Sequence, residues 1–410
     1  MTLIYNIGIR FYFAVLFFYS LFNLKARRWI KGRKNIFNEL KDKIGNDKNI
    51  IWVHCASLGE FEQGRSVIEA IKKKQPDQKI LLTFFSPSGF ETRKNYSHAN
   101  YVCYLPLDSK KNASGFFNIV KPVKVYFIKY EFWYHYLKIL HQNKVPIFLV
   151  SGIFRDSQLF FKWYGRWFRK MLYCFTSFFV QNSYSADLLK KIGLPNSYVT
   201  GDTRFDRVYQ LSSHPVPLPV IERFKDNKNV FVAGSTWQKD EEILVRYINN
   251  YNNNNWKFIL APHEINNENI EKLLTDLSKK TILYSEANNK NLSEYEVLII
   301  DNIGMLSSIY RYGTLSYIGG GFGKGIHNIL EPVTFGTPVV FGPKYQKFRE
   351  ATELIKSGVA FTIKDAKMFD DLMTVLINNN QLIRDIRIIS SDYIKKNIGA
   401  TEKILAYSGL

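Results

Sequence analysis

Cysteine is scarce in this 410-residue chain: Cys55, Cys103 and Cys174 are the only 3, and they lie far apart. There is no CxxC pair and no cluster of cysteine with histidine. Neither a zinc site nor a disulfide framework is expected, and the usage fits a reducing compartment. Other signatures are missing too. The chain has no Ser-His-Asp spacing, no HExxH helix and no EF-hand loop, which leaves hydrolase and metalloprotease readings without support. Negative charge is in short supply: Asp and Glu number 36 against 56 Lys and Arg, for a net charge of +20. Such a surface attracts polyanions, whether nucleic acid, anionic lipid or phosphorylated substrates. A solvated basic surface with no specific partner has the same composition. The hydrophobic fraction of 46% and aromatic fraction of 16% do not describe a disordered chain. At this length two domains are expected.

What is present starts with an apolar N-terminus. Phe11 to Leu24 reads FYFAVLFFYSLFNL, and a basic run follows at Lys25, Arg27, Arg28, Lys31, Arg33 and Lys34. A spanning helix needs about 20 apolar residues, and Arg10 interrupts this one. No small-residue cleavage site follows, which disfavours a removed signal peptide. Three readings remain: a short anchor with its basic flank in the cytoplasm, an aromatic helix lying in the interface, or an ordinary core helix. The basic flank favours membrane association.

Beyond it, strand-like and helix-like runs alternate. Strands are expected at Ile51–Val53, Ile80–Thr83, Val123–Ile128, Ile147–Val150 and Phe178–Val180, with helices such as Phe61–Lys74, Phe132–Gln142 and Ser183–Ile192 between them. The alternation predicts a parallel sheet covered by helices. Pro215, Pro217 and Pro219 break the rhythm and mark an interdomain linker. The pattern then restarts, with strands at Val230–Ala233, Phe258–Leu260, Val297–Ile300, Leu315–Ile318 and Val339–Phe341 and helices such as Asp240–Ile248 and Gln346–Lys356. Two Rossmann-like α/β halves result. Facing each other they would leave a cleft, and open α/β sheets bind ligands at the carboxyl ends of their strands.

The turns after the strands should therefore carry the function. The richest is YIGGGFGKGIHNILEPVTFGTPVVFGP, Tyr317 to Pro343, where glycines permit close approach to a phosphate and a helix opens near Asn328. It is neither a Walker loop nor a clean GxGxxG. Glu331 falls one turn into that helix, placed to reach a ribose hydroxyl or merely to complement the helix N-terminus. Pro262 and His263 end another strand, in LAPHEI. Asp301 to Leu306 is a third such turn, with the reading of an ordinary N-cap open beside a ligand role. In the first half, Glu60 follows IIWVHCASLG, Glu131 lies in KYEFWYH, and Arg204 lies in GDTRFD. Each alone reads as surface decoration. Together they put two carboxylates and a guanidinium on one expected edge.

WVHCASLGE, LLTFFSPSGFE, YEFW, GDTRFD, GSTWQKDEE, LAPHE, DNIGML and HNILEPVTFGTPVVFGP occur in this order along nearly the whole chain. With the N-terminal anchor, they resemble the 3-deoxy-D-manno-octulosonic acid (Kdo) transferases of Gram-negative bacteria. The resemblance implies a GT-B glycosyltransferase of two Rossmann-like domains. The implied segments are an anchor with its basic flank at 1–34, an acceptor-binding domain at 35–211 and a CMP-Kdo-binding domain at 212–410. The implied reaction is inverting transfer of Kdo from CMP-Kdo to the lipid A precursor (lipid IVA) in lipopolysaccharide synthesis, without a metal or a resident cofactor. It also implies Glu60 as general base, Glu131 as a support for the transition state, and Arg204 where the family commonly has Lys. Pro262, His263, Gly304, Met305, Leu306, Asn328, Ile329, Leu330 and Glu331 resemble the CMP site. Trp237 stands where many relatives have His, and the GFGKG loop is unlike the shorter version in many relatives. Neither Trp237 nor Lys324 is therefore given a role.

The chemistry suits these residue types. An acceptor hydroxyl is a poor nucleophile, and a carboxylate can take its proton as it attacks. Inversion needs one base and no covalent partner. Charge builds on the CMP phosphate as it leaves, where the N–H groups at 304–306 and 328–331 would stabilise it, with Arg204 as a fixed cation meeting a phosphate or the Kdo carboxylate. Residues 160–168, FFKWYGRWF, offer a second membrane contact or a buried amphipathic helix. The expected state is a monomer on the cytoplasmic side of the inner membrane, held by a single N-terminal anchor and anionic lipid, with no nucleic-acid partner. Two other readings remain open: a GT-B glycolipid glycosyltransferase using a different nucleotide sugar, and a non-catalytic protein binding anionic membranes.

Overall fold

Seven strands form the first sheet: β1 Ile50–Cys55, β2 Lys79–Phe84, β3 Tyr101–Tyr104, β4 Lys124–Ile128, β5 Ile147–Gly152, β6 Ser177–Val180 and β7 Ser197–Val199. Seven more form the second: β8 Asn229–Thr236, β9 Trp256–Pro262, β10 Thr281–Leu283, β11 Val297–Ile299, β12 Leu315–Ile318, β13 Val339–Phe341 and β14 Ala360–Thr362. The structure, a computed structural model, describes residues 1–410. The orders are β3-β2-β1-β4-β5-β6-β7 and β10-β11-β9-β8-β12-β13-β14, and every pair is parallel. This is the doubly wound α/β architecture expected from the alternation. Each strand order reverses direction beside its first strand, β1 or β8, the position where such sheets bind ligands.

The central strands read as continuous apolar runs because both of their faces are covered. In β1, Ile50 and Trp52 join one layer with Leu81 and Phe127, while Ile51, Val53 and Cys55 join the other with Ile80 and Tyr126. In the second sheet, Phe231, Leu260, Ile299 and Tyr317 share a core with Phe369 and Met373. Each such apolar side chain contributes about 1.5–3 kcal/mol on burial.

The units do not divide at one point. Met1–Arg207 joins Asn397–Leu410 in one unit, and Val208–Lys396 forms the other. The sequence reading, which ran the second domain through 410, did not anticipate this return. Its physical basis is twofold. The helix Ala400–Tyr407 adds Ile404 and Leu405 to the layer containing Ile51 and Tyr126. The Asp206 carboxylate accepts the Gly399 and Thr401 N–H groups and the Thr401 hydroxyl, each at 2.6 Å.

The N-terminal helix spans Thr2–Tyr19 and has no buried residue. One side touches the first unit: Tyr5 donates to Asp108, His135 Nε2 meets Asn6 Oδ1 at 2.7 Å, and the Tyr12 ring packs on Trp29 and Phe85. The other side exposes Ile4, Ile7, Phe11, Val15 and Phe18, a stripe at helical spacing. A cavity of about 570 Å³ borders the helix, lined by apolar residues such as Ile9, Phe13 and Trp29 and by basic ones such as Arg10, Lys110 and Lys111.

Asp206→Ala removes three hydrogen-bond acceptances and leaves the buried Thr401 N–H and the part-buried Gly399 N–H unmet. A loss of about 2–3 kcal/mol is expected for the first unit. Urea unfolding followed by tryptophan fluorescence checks it. A change below about 0.5 kcal/mol contradicts the assigned role of this carboxylate.

Candidate active site

Glu60 occupies the first turn of the helix Leu58–Lys74, directly after β1. Ser57 and Glu60 form a capping box: the Ser57 N–H donates to Glu60 Oε2 at 3.0 Å, and the Glu60 N–H reaches Ser57 Oγ at 3.5 Å. This explains locally why a carboxylate stands there. Capping does not account for its proton affinity. Burial, and then the nearby Glu131 charge, push the Glu60 carboxyl up to about 7, against the lowering effects of Ser57, Lys129 and Ala56.

Glu131 follows β4 and is buried. Its Oε2 receives the Trp133 Nε1–H at 2.6 Å and lies 3.0 Å from His54 Nε2. His54 is fully buried in β1, and its Nδ1 lies 2.7 Å from Thr83 Oγ1, which accepts the Trp52 indole N–H at 2.8 Å. Lys129, between β4 and Glu131, takes a φ of +63°. Backbone strain of this kind in a non-glycine residue clusters at functional edges. Arg204 binds Asp202 through Nε at 2.9 Å and Nη2 at 2.6 Å. Burial would raise the Asp202 carboxyl, but Arg204 outweighs it and holds the group below its usual value, with Lys129 acting in the same direction. Lys129 thus acts electrostatically on both Glu60 and Asp202, so Glu60, Glu131 and Arg204 share one edge of the first sheet as expected.

In the second unit Pro262 ends β9 and His263 follows it. The His263 ring stacks on Trp237 at 4.5 Å and on His327 at 4.5 Å, and the Trp237 indole N–H donates to His327 Nε2 at 3.1 Å. Burial, and then His263, push His327 down to about 4; burial also lowers His263. Both rings are therefore neutral at pH 7. Asp240 ties the surrounding turns together, accepting the N–H groups of Trp237 and Gly320 at 2.9 Å and the Tyr317 hydroxyl at 2.8 Å.

Gly304 (φ +101°) and Met305 precede the four-residue helix Leu306–Ile309, and Glu331 lies in the five-residue helix Leu330–Thr334. The latter opens two residues after Asn328, and Glu331 falls in its first turn, where its Oε1 accepts the Asn328 amide at 3.0 Å. Ile329 and Leu330 are buried, so only their backbone could face a ligand. Helices this short carry little macrodipole, and what they offer an anion is individual N–H groups. The two turns converge near Gly234, where an added Cβ would lie 2.0 Å from the Tyr310 hydroxyl and 2.8 Å from Leu306. Glu331 in turn acts electrostatically on Tyr310.

The glycine run differs from expectation. A Cβ on Gly319 would lie 2.1 Å from the Ser235 carbonyl oxygen, and one on Gly321 2.6 Å from Gly342 Cα. Close approach of the protein's own backbone, rather than of a phosphate, accounts for these two glycines.

Sequence reasoning missed His54, Thr83, Asp240 and His327, and gave Trp237 no role. His54 had a visible signal: an imidazole inside an otherwise apolar central strand must find buried partners. The Trp237–His263–His327 stack had none, since three distant segments build it.

A family model described as 3-Deoxy-D-manno-octulosonic-acid transferase (kdotransferase) matches residues 30–207. The 3-deoxy-D-manno-octulosonic acid transferase of Aquifex aeolicus is 28% identical over 84% of this chain and 90% of its own length. That of Rickettsia bellii is 25% identical over 94% and 93%. Among solved structures, the UDP-GlcNAc 2-epimerase of Neisseria meningitidis superposes with a TM-score of 0.61 at 16% identity, over 87% of this chain and 98% of its own. That likeness concerns the fold alone, two Rossmann-like units of GT-B type. With a family domain matched at 30–207 and relatives aligned along most of its length, the chain is similar to the 3-deoxy-D-manno-octulosonic acid transferases.

Proposed function

We propose that this protein transfers Kdo from CMP-Kdo to a lipid A precursor such as lipid IVA, with inversion and with Glu60 as the general base. The observation that carries this reading is the carboxylate pair. Glu60 stands at the end of a central strand with its carboxyl pushed up to about 7, a match to a base working near neutrality. In the proposed step the acceptor hydroxyl oxygen bonds to the anomeric carbon of Kdo. Its proton passes to Glu60, and the bond from that carbon to the CMP phosphate breaks with its electron pair going to phosphate. Glu131, fixed by His54 and Trp133, complements the positive charge that develops on the sugar ring. In the second unit, Pro262 and His263, the backbone of Gly304, Met305 and Leu306, and the Asn328–Glu331 turn are assigned to CMP. Arg204, paired with Asp202, is assigned to an anionic group of the donor. No metal takes part in the proposal.

The acceptor in this reading is acylated and phosphorylated. The cavity beside the N-terminal helix, lined by both apolar and basic residues, suits such an amphiphile. We also assign the exposed stripe of that helix to the cytoplasmic face of an anionic bilayer. With one side of the helix docked on the first unit, it would lie in the interface rather than cross it.

The defining experiment is a transfer assay with CMP-Kdo generated in situ and lipid IVA, read by mass spectrometry. Wild type should add Kdo and keep its rate in EDTA. Glu60→Gln should lose about 10²–10⁴ in kcat. Inactivity of folded wild type with CMP-Kdo, alongside turnover of another nucleotide sugar, would replace the donor assignment. Because Glu60 must be deprotonated to act, kcat/KM should fall about tenfold per pH unit below pH ~7 and level off above it. A limb near pH 4 would show that the carboxylate pair does not tune this base. Membrane attachment is checked by co-sedimentation with phosphatidylglycerol vesicles. Phe11→Ser with Phe18→Ser should weaken binding at least about tenfold, and added salt should weaken it further. Undiminished binding by the double variant would remove the helix from that role.

A further inference from the structure

The buried hydrogen bonds behind Glu131 form a chain with a direction. Trp52 can only donate, and its indole N–H is taken by Thr83 Oγ1 at 2.8 Å. The Thr83 side chain is fully buried, and the only other partner of its hydroxyl is His54 Nδ1 at 2.7 Å. The hydroxyl hydrogen therefore goes to that nitrogen, leaving Nδ1 an acceptor. The proton of a neutral imidazole must then sit on Nε2, which lies 3.0 Å from Glu131 Oε2. The same oxygen takes the Trp133 indole N–H at 2.6 Å. Two donors on one oxygen fix the plane of the carboxyl group.

We propose that Trp52, Thr83 and His54 form a positioning relay that holds the Glu131 carboxyl oriented beside Glu60. His54 does not reach the reacting atoms in this account. It acts through Glu131, as an orienting group behind a catalytic residue does. The inference rests on the proposed role of Glu60 and adds a cause for its behaviour. The charged groups facing Glu60 are Glu131, which opposes its ionisation, and Lys129, which favours it; Tyr130 and Cys55 are further titratable neighbours. If the relay is broken and Glu131 turns away from Glu60, that repulsion falls, and the base becomes a weaker one with its acid limb at lower pH.

Two measurements on the full-length protein in detergent test this. The first needs no activity: long-range proton–nitrogen correlation of ¹⁵N-histidine protein, with His54 assigned by its loss in His54→Gln. A bare Nδ1 and a protonated Nε2 are expected, and an Nδ1–H tautomer would overturn the relay even if the enzyme transfers Kdo as proposed. The second compares pH profiles of kcat/KM for wild type, Thr83→Val and Thr83→Ser, with circular dichroism to confirm folding. Thr83→Val keeps the side-chain shape and removes the hydroxyl. It should lower kcat roughly tenfold or more with acceptor KM unchanged, and move the acid limb to lower pH. Thr83→Ser restores the hydroxyl and should recover both. Should Thr83→Val fail to fold, His54→Gln supplies the same comparison. A folded variant with the wild-type limb and rate sinks the proposal. Loss of transfer in wild type itself would instead sink the proposed function, with the tautomer measurement still deciding the relay.

Discussion

Parallel pairing constrains everything else here. When all strands of a sheet run one way, every strand-to-helix turn emerges at the same edge. In the first unit this gathers the turns after β1, β4 and β7, and with them Glu60, Glu131 and the Asp202–Arg204 pair. In the second it gathers the turns after β8, β9 and β12, and with them Trp237, His263 and His327. Chain segments more than a hundred residues apart come to share an electrostatic environment because the backbone ladder leaves them no other place to end.

The two edges solve opposite electrostatic problems. The first holds two carboxylates close together in partly buried surroundings, and burial with the Glu131 charge pushes the Glu60 carboxyl up to about 7. The second holds aromatic rings whose imidazoles are kept neutral by burial.

Much of this was legible beforehand. The ten strands expected from apolar runs all form, because a strand covered on both faces must be apolar throughout. The four strands that went unseen, β3, β7, β10 and β14, are the four edges of the two sheets. Edge strands are short and half exposed, so their sequences carry no continuous run. The candidate residues lay at strand ends, where the alternation pointed. What could not be read was the second layer of partners: Thr83 behind His54, or Asp240 joining Trp237 to Gly320. Such pairs depend on lateral register between strands distant in sequence. The glycine run misled for a related reason, since a glycine demanded by a neighbouring loop looks the same as one demanded by a ligand.

The return of Asn397–Leu410 to the first unit makes the second unit an insertion within the first. A ribosome therefore delivers the last helix of the first unit only after the whole of the second has emerged. Until then Ile51, Val53 and Tyr126 lack the cover of Ile404 and Leu405, and Asp206 lacks its N–H donors. During synthesis the unit bearing Glu60 is thus completed only after the second unit has emerged.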